Sequence, residues 1–433
     1  MTPERTSTEP DARAAPRVAR IEVRPAPVAG DPEGERVRRE VSAIGERVEA
    51  VRTAKVYLIE PAAGEGPIEA ATLERAVRRV LADPVAETAR LGASAEVADA
   101  SAIEVHPLPG VMDPAGGSVR EILRELFGLE VSVSTGRRYE LVGADAETAR
   151  RIADRLLANP TVSRAHDGSH WPERLPTGTP RASGVREVAL RGLADGGLAE
   201  LSRSAHLFLS AGEMRAIRDE YERLGREPTD IELETLAQTW SEHCVHKTLK
   251  STIRYTGDAA GIGFAGRPGH SVDEDGSVTI DSLLRSTIAA ATHELIEGGL
   301  DWTLSVFVDN AGIVAFDDEH AVCVKVETHN HPSALEPYGG AATGIGGCIR
   351  DIIGTGLAAK PIASTDVFCV APPDTPRVPA GCIHPRRVLS RVVEGVRDYG
   401  NRMGIPTVNG AVWFDERYVG NPLVFCGCVG VMP

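Results

Sequence analysis

The sequence predicts a mixed α/β chain in which a small α+β unit occurs twice, a helical linker follows, and strands then alternate with helices to the end. Three observations carry that expectation. Ile21–Arg38, IEVRPAPVAGDPEGERVR, lines up with Ile103–Arg120, IEVHPLPGVMDPAGGSVR, pairing Pro25 with Pro107, Asp31 with Asp113, Pro32 with Pro114 and Gly34 with Gly116. Pro, Gly and Ser gather in WPERLPTGTPRASG, which ends at Gly184, as they do in linkers. Beyond it, short β-branched runs such as GIVAF and AVCVKVE alternate with helical patterns such as RRVLSRVVEGVRDYG.

Residues 1–16 are polar and Pro-rich and are expected to form a disordered tail. The duplicated unit covers 17–168, with copies at 17–90 and 100–168. Each copy reads strand, helix, two strands, helix, short strand. In the first copy these are Val18–Val23, a helix after Asp31, strands near Val48–Val51 and Lys55–Glu60, and the helix Leu73–Leu81. LADP at Leu81–Pro84 matches LANP at Leu157–Pro160. Asp31 and Asp113 suit helix N-caps, with proline at the first helical position. His106 stands opposite Arg24 in the repeat and is expected at the surface. Neither copy carries a catalytic constellation, so a docking or structural role is expected.

Residues 169–249 form the linker and helices. Ser210 caps AGEMRAIRDEYERLG, which Gly225 ends, and Thr229 or Asp230 caps IELETLAQTWSEHC. Ile231, Leu233, Leu236 and Trp240 form the apolar side of that second helix, which delivers His243. In the last unit, 250–433, Asp281 caps a helix with Leu284, Ile288 and Leu295 at helical spacing. TLSVFVD, GIVAF and AVCVKVE are strands, and another begins over Lys360–Val370. A helix presents Leu389, Val392, Val393 and Val396 on one side, and LVFCGCVGVM closes the chain as an apolar strand.

At 433 residues with 42% hydrophobic side chains, the chain holds enough for sizeable cores, filled by aliphatic residues because aromatics are only 4%. A net charge of −15 argues against a general nucleic-acid or anionic-membrane surface. There is no run of eighteen apolar residues, and MTPERTSTEPDARAAP lacks the apolar core of a signal peptide, so the expectation is a cytoplasmic protein without membrane partners. All seven cysteines lie from Cys244 onward without a C-x-x-C pair and read as reduced thiols. Cys426 and Cys428 share a strand face, where packing is favoured over a disulfide or a metal.

The chemistry concentrates in Val322–Gly356, VCVKVETHNHPSALEPYGGAATGIGGCIRDIIGTG. Alternation puts Val322, Val324 and Val326 on one strand face and Lys325 and Glu327 on the other. Thr328, His329, Asn330 and His331 follow, and Pro332 stops the strand, presenting polar side chains at the sheet's edge. Gly339, Gly340, Gly344, Gly346 and Gly347 read as a glycine-rich start to a helix, where backbone N–H groups could approach an anion, although tight packing explains such a string as well. Carboxylates hold Mg²⁺ through oxygen, Lys and Arg hold phosphate, and His moves a proton near neutral pH. Lys325, Glu327, His329, His331, Arg350 and Asp351 within one strand–loop–helix unit therefore point to phosphate chemistry.

The string KVETHNHPSALEPYGGAATGIGG with IRDI resembles the signature of phosphoribosylformylglycinamidine synthase, and TWSEHCVHKTLKS at Thr239–Ser251 resembles a second block of that family in the expected order. The resemblance implies that 250–433 has the N-terminal subdomain of a phosphoribosylaminoimidazole-synthetase-like fold, and that the duplicated unit is similar to the family's small accessory subunit. It implies ATP-dependent amidation of formylglycinamide ribonucleotide in purine biosynthesis, with Mg²⁺. Lys325 and His246 would contact ATP, His246 standing where other forms have a tyrosine. Glu327 and Asp351 would hold Mg²⁺. Thr328, His329, Asn330, His331 and Arg350 would bind substrate, with His329 and His243 catalytic. Ammonia would come from a glutaminase subunit or domain, since no glutaminase nucleophile is present, and a second synthetase half is expected beyond this sequence. Two other readings stay open: an assembly module recruiting a glutaminase, and a metal-dependent hydrolase using His329 and His331.

Overall fold

The computed structural model describes residues 17–95, 98–178, 184–257, 263–357 and 359–433. The expected tail, 1–16, lies outside them. The chain divides into two compact units. One holds the described residues up to 178 with Asn310–Gly312 and Glu319–Pro433; the other holds those from 184 to Asp309 with Ile313–Asp318.

In the first unit each copy of the repeat folds alike. The first has β1 (Ala19–Pro25), α1 (Pro32–Ala43), β2 (Ala50–Pro61), α2 (Ala70–Ala76) and β3 (Glu87–Leu91); the second has β4 (Ala100–Pro107), α3 (Pro114–Phe127), β5 (Val131–Val142), α4 (Ala146–Ile152) and β6 (Ser163–Asp167). The two central strands expected in each copy are one continuous twelve-residue strand. The shared D-P-x-G string works as a clasp. Asp31 accepts from the N–H of Gly34 at 2.7 Å and of Thr53 at 2.6 Å, and Asp113 accepts from Gly116 at 2.8 Å and Thr135 at 2.6 Å. Each carboxylate thus caps a helix and pins it to the long strand of its own copy. A Cβ at Gly116 would fall 2.9 Å from the carbonyl oxygen of Val133, so only glycine fits.

The strands form one sheet, β3-β1-β2-β5-β4-β6, joined across the copies by antiparallel β2 and β5, from Ala50 opposite Val142 to Pro61 opposite Val131. Helices bury two clusters, each drawn from both copies: Ile21, Val23 and Ile59 with Leu123 of α3, and Val37 and Val41 of α1 with Ile103, Tyr139, Leu141 and Ile152. The opposite face carries charged side chains. Arg20, Glu22, Glu104, Arg138 and Glu140 are buried there, each balanced by a partner. Arg20 donates to Glu104 at 2.5 Å and Glu22 at 2.6 Å, Arg138 donates to Glu104 and Glu140 at 2.9 Å, and Arg24 donates to Glu140 at 2.7 Å. The chain after β6 covers this face: the His170 N–H donates to Glu104, Trp171 Nε1 donates to Val18 O, and Leu175 packs on Val18, Val56 and Leu58. His106, expected at the surface, is 3% exposed, because this segment roofs it and its ring lies beside those of His166 and His170. Burial first, then the neighbouring imidazoles, hold the His170 pKa down to about 4.

The rest of this unit has β12 (Ala321–Thr328), α11 (Asn330–Leu335), α12 (Pro337–Ile353), β13 (Lys360–Val370), α13 (Pro385–Met403), β14 (Thr407–Phe414) and β15 (Leu423–Met432), preceded in the chain by the elements of the second unit named below. The strands lie in the order β12-β15-β13-β14, antiparallel except for β13 with β14. Helices α12 and α13 pack tightly because glycines remove the side chains between them. A Cβ on Gly346 would meet the Tyr399 ring at 2.8 Å, and one on Gly395 would strike the Tyr338 carbonyl oxygen. Along α13, Val392 and Val396 are buried as expected, while Val388 is buried and Val393 is exposed. Asn159 Nδ2 donates to Leu335 O at 2.8 Å and Glu336 at 2.6 Å, and Ser390 donates to Glu40, tying the repeat to α11 and α13.

The second unit contains α5 (Asp195–Ser204), α6 (Ala211–Leu224), α7 (Asp230–Thr239), α8 (Glu242–Val245), α9 (Lys247–Lys250), β7 (Ile253–Tyr255), β8 (His270–Val272), β9 (Val278–Ile280), α10 (Ala290–Glu297), β10 (Thr303–Ser305) and β11, whose residues run Gly312–Ala315. Ser210 and Thr229 each cap a helix through a reciprocal pair with Glu213 and Glu232, and Gly225 ends α6 in the left-handed region, as the sequence predicts. Leu198, Met214, Ile217 and Leu233 form its core, while Ile231 is exposed. Ile288 and Leu295 are exposed too, and the Asp281 carboxylate accepts from Thr252 at 3.2 Å. No helix among the described residues is long and apolar enough to cross a membrane.

Candidate functional site

Strand β12 sets the site. Its β-branched residues pair with β15, Lys325 opposite Cys428 and Glu327 opposite Cys426. The valine face is the outer one, with Val324 43% and Val326 47% exposed, and it is the Cys323–Lys325–Glu327 face that α12 covers. Cys348 of α12 donates to Cys426 O at 3.1 Å, and a Cβ on Gly430 would meet Ile352 and Cys323. This apposition brings Asp351, in the last turn of α12, over Lys325. The lysine Nζ lies 3.0 Å from Glu327 and 3.1 Å from Asp351. Burial opposes its charge, but the bonds to the two carboxylates outweigh that and hold its pKa above the ordinary value.

The glycine string does not form a helix start. Gly339, Gly340, Gly344, Gly346 and Gly347 all lie inside α12, which begins at Pro337. Gly340, Gly344 and Gly346 serve packing: a Cβ on Gly340 would meet Ser333 N at 2.5 Å, and one on Gly344 would meet His329 Cβ at 3.0 Å, whereas one on Gly347 would meet nothing within 4 Å. The expected glycine nest for an anion is therefore replaced by close contact with the histidine loop.

That loop is tied to the sheet. Strand β12 ends at Thr328, and His329 precedes the short helix α11. The His329 N–H donates to Val424 O at 2.8 Å, and the Val424 N–H donates to Asn330 Oδ1 at 2.9 Å, so an asparagine side chain continues the ladder where the backbone turns away. Ser333 Oγ donates to His329 O at 2.5 Å. The Nδ1 of His329 is buried without a hydrogen-bond partner. Thr328 and His331 are exposed, as is Arg350 beside Asp351 on α12. The other residues of interest lie in the second unit. His243 is exposed on α8, a separate turn rather than part of α7, because α7 ends at Thr239 and the Ser241 hydroxyl accepts from Cys244 N to start again. His246 ends α8 in the left-handed region at φ +57°.

Among the described residues no group of three or more His, Cys, Asp or Glu is placed to hold a metal, so His329 and His331 gain no third ligand of that kind. Glu327 and Asp351 fit a different demand. Two carboxylates converging on one cationic nitrogen suit Mg²⁺, which keeps waters and substrate phosphates and takes only one or two protein carboxylates. Sequence reasoning missed the polar row beside the site. Asp366 of β13 is buried opposite Cys426 and accepts from Thr407 at 2.9 Å, and burial raises its pKa. Cys323, Cys426 and Cys428 on the strands and Cys348 on α12 are also buried, the Cys348 thiol pushed by burial up to about 12. The one available signal was the polar aspartate within the apolar strand.

A fold of this kind, a strand sheet backed by two helices behind a duplicated α+β unit, has relatives. Residues 308–432 match the AIR synthase related protein N-terminal domain, the class of domain that holds Lys325 and Asp351. Residues 198–247 match the formylglycinamide ribonucleotide amidotransferase linker domain, and 18–94 and 100–166 each match the phosphoribosylformylglycinamidine (FGAM) synthase PurS model. The chain is 39% identical over 248 residues to phosphoribosylformylglycinamidine synthase subunit PurL of Thermoplasma acidophilum, and 37% over 247 residues to that of Thermoplasma volcanium. Each match covers 57% of this chain and 27% of the relative. Among solved structures, Thermotoga maritima PurL complexed with FGAR is 32% identical over 51% of this chain and 26% of its own, with a TM-score of 0.31. Over these stretches the chain is similar to phosphoribosylformylglycinamidine synthase proteins, with two PurS-like stretches ahead of the AIR synthase related domain, and it spans about a quarter of the length of the curated relatives it matches.

Proposed function

We propose that the chain carries nucleotide and substrate groups for the ATP-dependent amidation of formylglycinamide ribonucleotide in purine biosynthesis, in the cytoplasm, with ammonia supplied by a glutaminase partner. The observation that carries this reading is the lysine bridging Glu327 and Asp351 inside the residues that match the AIR synthase related N-terminal domain. In this reaction the γ-phosphoryl group passes from ATP to the formamide oxygen, ammonia adds to the carbon, and phosphate leaves with that oxygen. In-line phosphoryl transfer asks the protein for position and charge more than for covalent help. Lys325 meets the ATP phosphates. Glu327 and Asp351 hold Mg²⁺, which neutralises phosphate charge when bound. Arg350 grips the ribonucleotide, and Thr328, Asn330 and His331 line the substrate. His329, whose free ring nitrogen is described above, takes the proton that ammonia loses. His243 acts as a second catalytic group and His246 contacts nucleotide. The reading keeps 17–168 as the accessory-like region, 169–249 as linker and helices, and 250–433 as the synthetase-like subdomain.

Calorimetric titration of the 433-residue chain with ATP and Mg²⁺ tests it. Binding that falls at least about tenfold in Lys325→Ala supports the reading, since a charge-assisted phosphate contact is worth about 1.5–3 kcal/mol. Unchanged binding defeats it and leaves the assembly module.

A further inference from the structure

The lysine of this site stands where a cation-binding pair of carboxylates would place its ion. Its Nζ is 3.0 Å from Glu327, on the strand, and 3.1 Å from Asp351, on the last turn of the helix above. Two carboxylates sharing one partner this closely repel each other unless a positive charge sits between them. The lysine supplies that charge at the end of a flexible four-carbon stem, its side chain 25% exposed.

We propose that Lys325 is the resident counter-ion of Glu327 and Asp351 and that it excludes a divalent cation, so that metal enters only when a phosphate draws the ammonium away. The inference rests on the proposed function, which supplies the phosphate. It makes metal and nucleotide binding cooperative: the phosphate takes the lysine, the lysine vacates the carboxylates, and the metal completes its shell with phosphate oxygens and water. A metal arriving alone meets a pair of carboxylates already half neutralised and a like charge in its place.

The test is Mn²⁺ binding to the full chain, read by the loss of the free-ion electron paramagnetic resonance signal. Without nucleotide, Lys325→Met binds Mn²⁺ about tenfold tighter than wild type, the factor expected for removing one part-exposed like charge. Lys325→Arg keeps a cation in place and keeps the weak binding of wild type. Lys325→Met combined with Asp351→Asn loses the gain, which locates the ion. A Lys325→Met chain of unchanged circular dichroism that binds Mn²⁺ no tighter than wild type overturns the proposal, as does a gain that survives Asp351→Asn. A separate arm with a non-hydrolysable ATP analogue tests the function: wild type that binds no analogue defeats the synthase reading, whatever the Mn²⁺ arm shows.

Discussion

Glu104→Gln removes one charge from the centre of the buried network and tests how that network holds the two repeats together. The carboxylate accepts from Arg20 at 2.5 and 3.1 Å, from Arg138 at 2.9 Å and from the His170 N–H at 2.9 Å, with His106 Nε2 at 3.3 Å. Burial pushes its pKa up, but the bonds from His106, Arg20 and His170 with the Arg20 charge prevail and hold it at about 2, against an ordinary 4.5. That depression corresponds to about 3 kcal/mol of stability, present above pH 4.5 and lost as pH falls through about 2. Glutamine keeps the shape but leaves two buried guanidiniums undercompensated, a change that usually costs about 3–5 kcal/mol. The expected loss at pH 7 is therefore about 3–4 kcal/mol. Urea unfolding followed by tryptophan fluorescence measures it, since Trp171 lies on the same sheet face. The gap between variant and wild type should narrow as the pH approaches 2. A loss below about 1 kcal/mol at pH 7, typical of exposed pairs, would refute the argument.

Further outcomes follow from single contacts. Asn330→Ala leaves the Val424 N–H without its acceptor and should cost about 1–2 kcal/mol, while Asn330→Asp, which keeps an acceptor oxygen, should keep slow exchange of that amide. Gly395→Ala places a methyl against the Tyr338 carbonyl and should lower stability by about 1–3 kcal/mol, seen as a lower Tm. In a thiol-reagent titration at pH 8, exposed Cys244 should react first, and Cys323, Cys348, Cys426 and Cys428 only on unfolding, because they are buried and Cys348 and Cys428 ionise only near 12 and 11.

Local signals in the sequence translated directly. Asp31 and Asp113 cap their helices, Ser210 and Thr229 close theirs, and β13 runs over Lys360–Val370. What failed was anything decided by which surface another part of the chain covers. Arg20, Glu22 and Arg24 alternate with apolar residues as a solvent-facing strand side would, and nothing local says that His170–Leu175 returns to roof them. The same limit applies to β12, where alternation separates the valines from Lys325 and Glu327 but does not say that α12 covers the lysine side. At the candidate site, the motif names Lys325, Glu327 and Asp351, and these three meet in the fold. Its glycines pointed to an anion and instead admit neighbouring helices and His329, because backbone packing and phosphate binding ask for the same missing side chain.

The twelve-residue pairing of β2 with β5 makes one uninterrupted sheet out of two copies encoded in a single polypeptide. Subunits that met as separate chains would come apart on dilution, and their number per synthetase would follow the cell's supply of each. Here that variable is gone. Every synthetase subdomain is made with its own matched pair attached, at a ratio set by translation rather than by equilibrium.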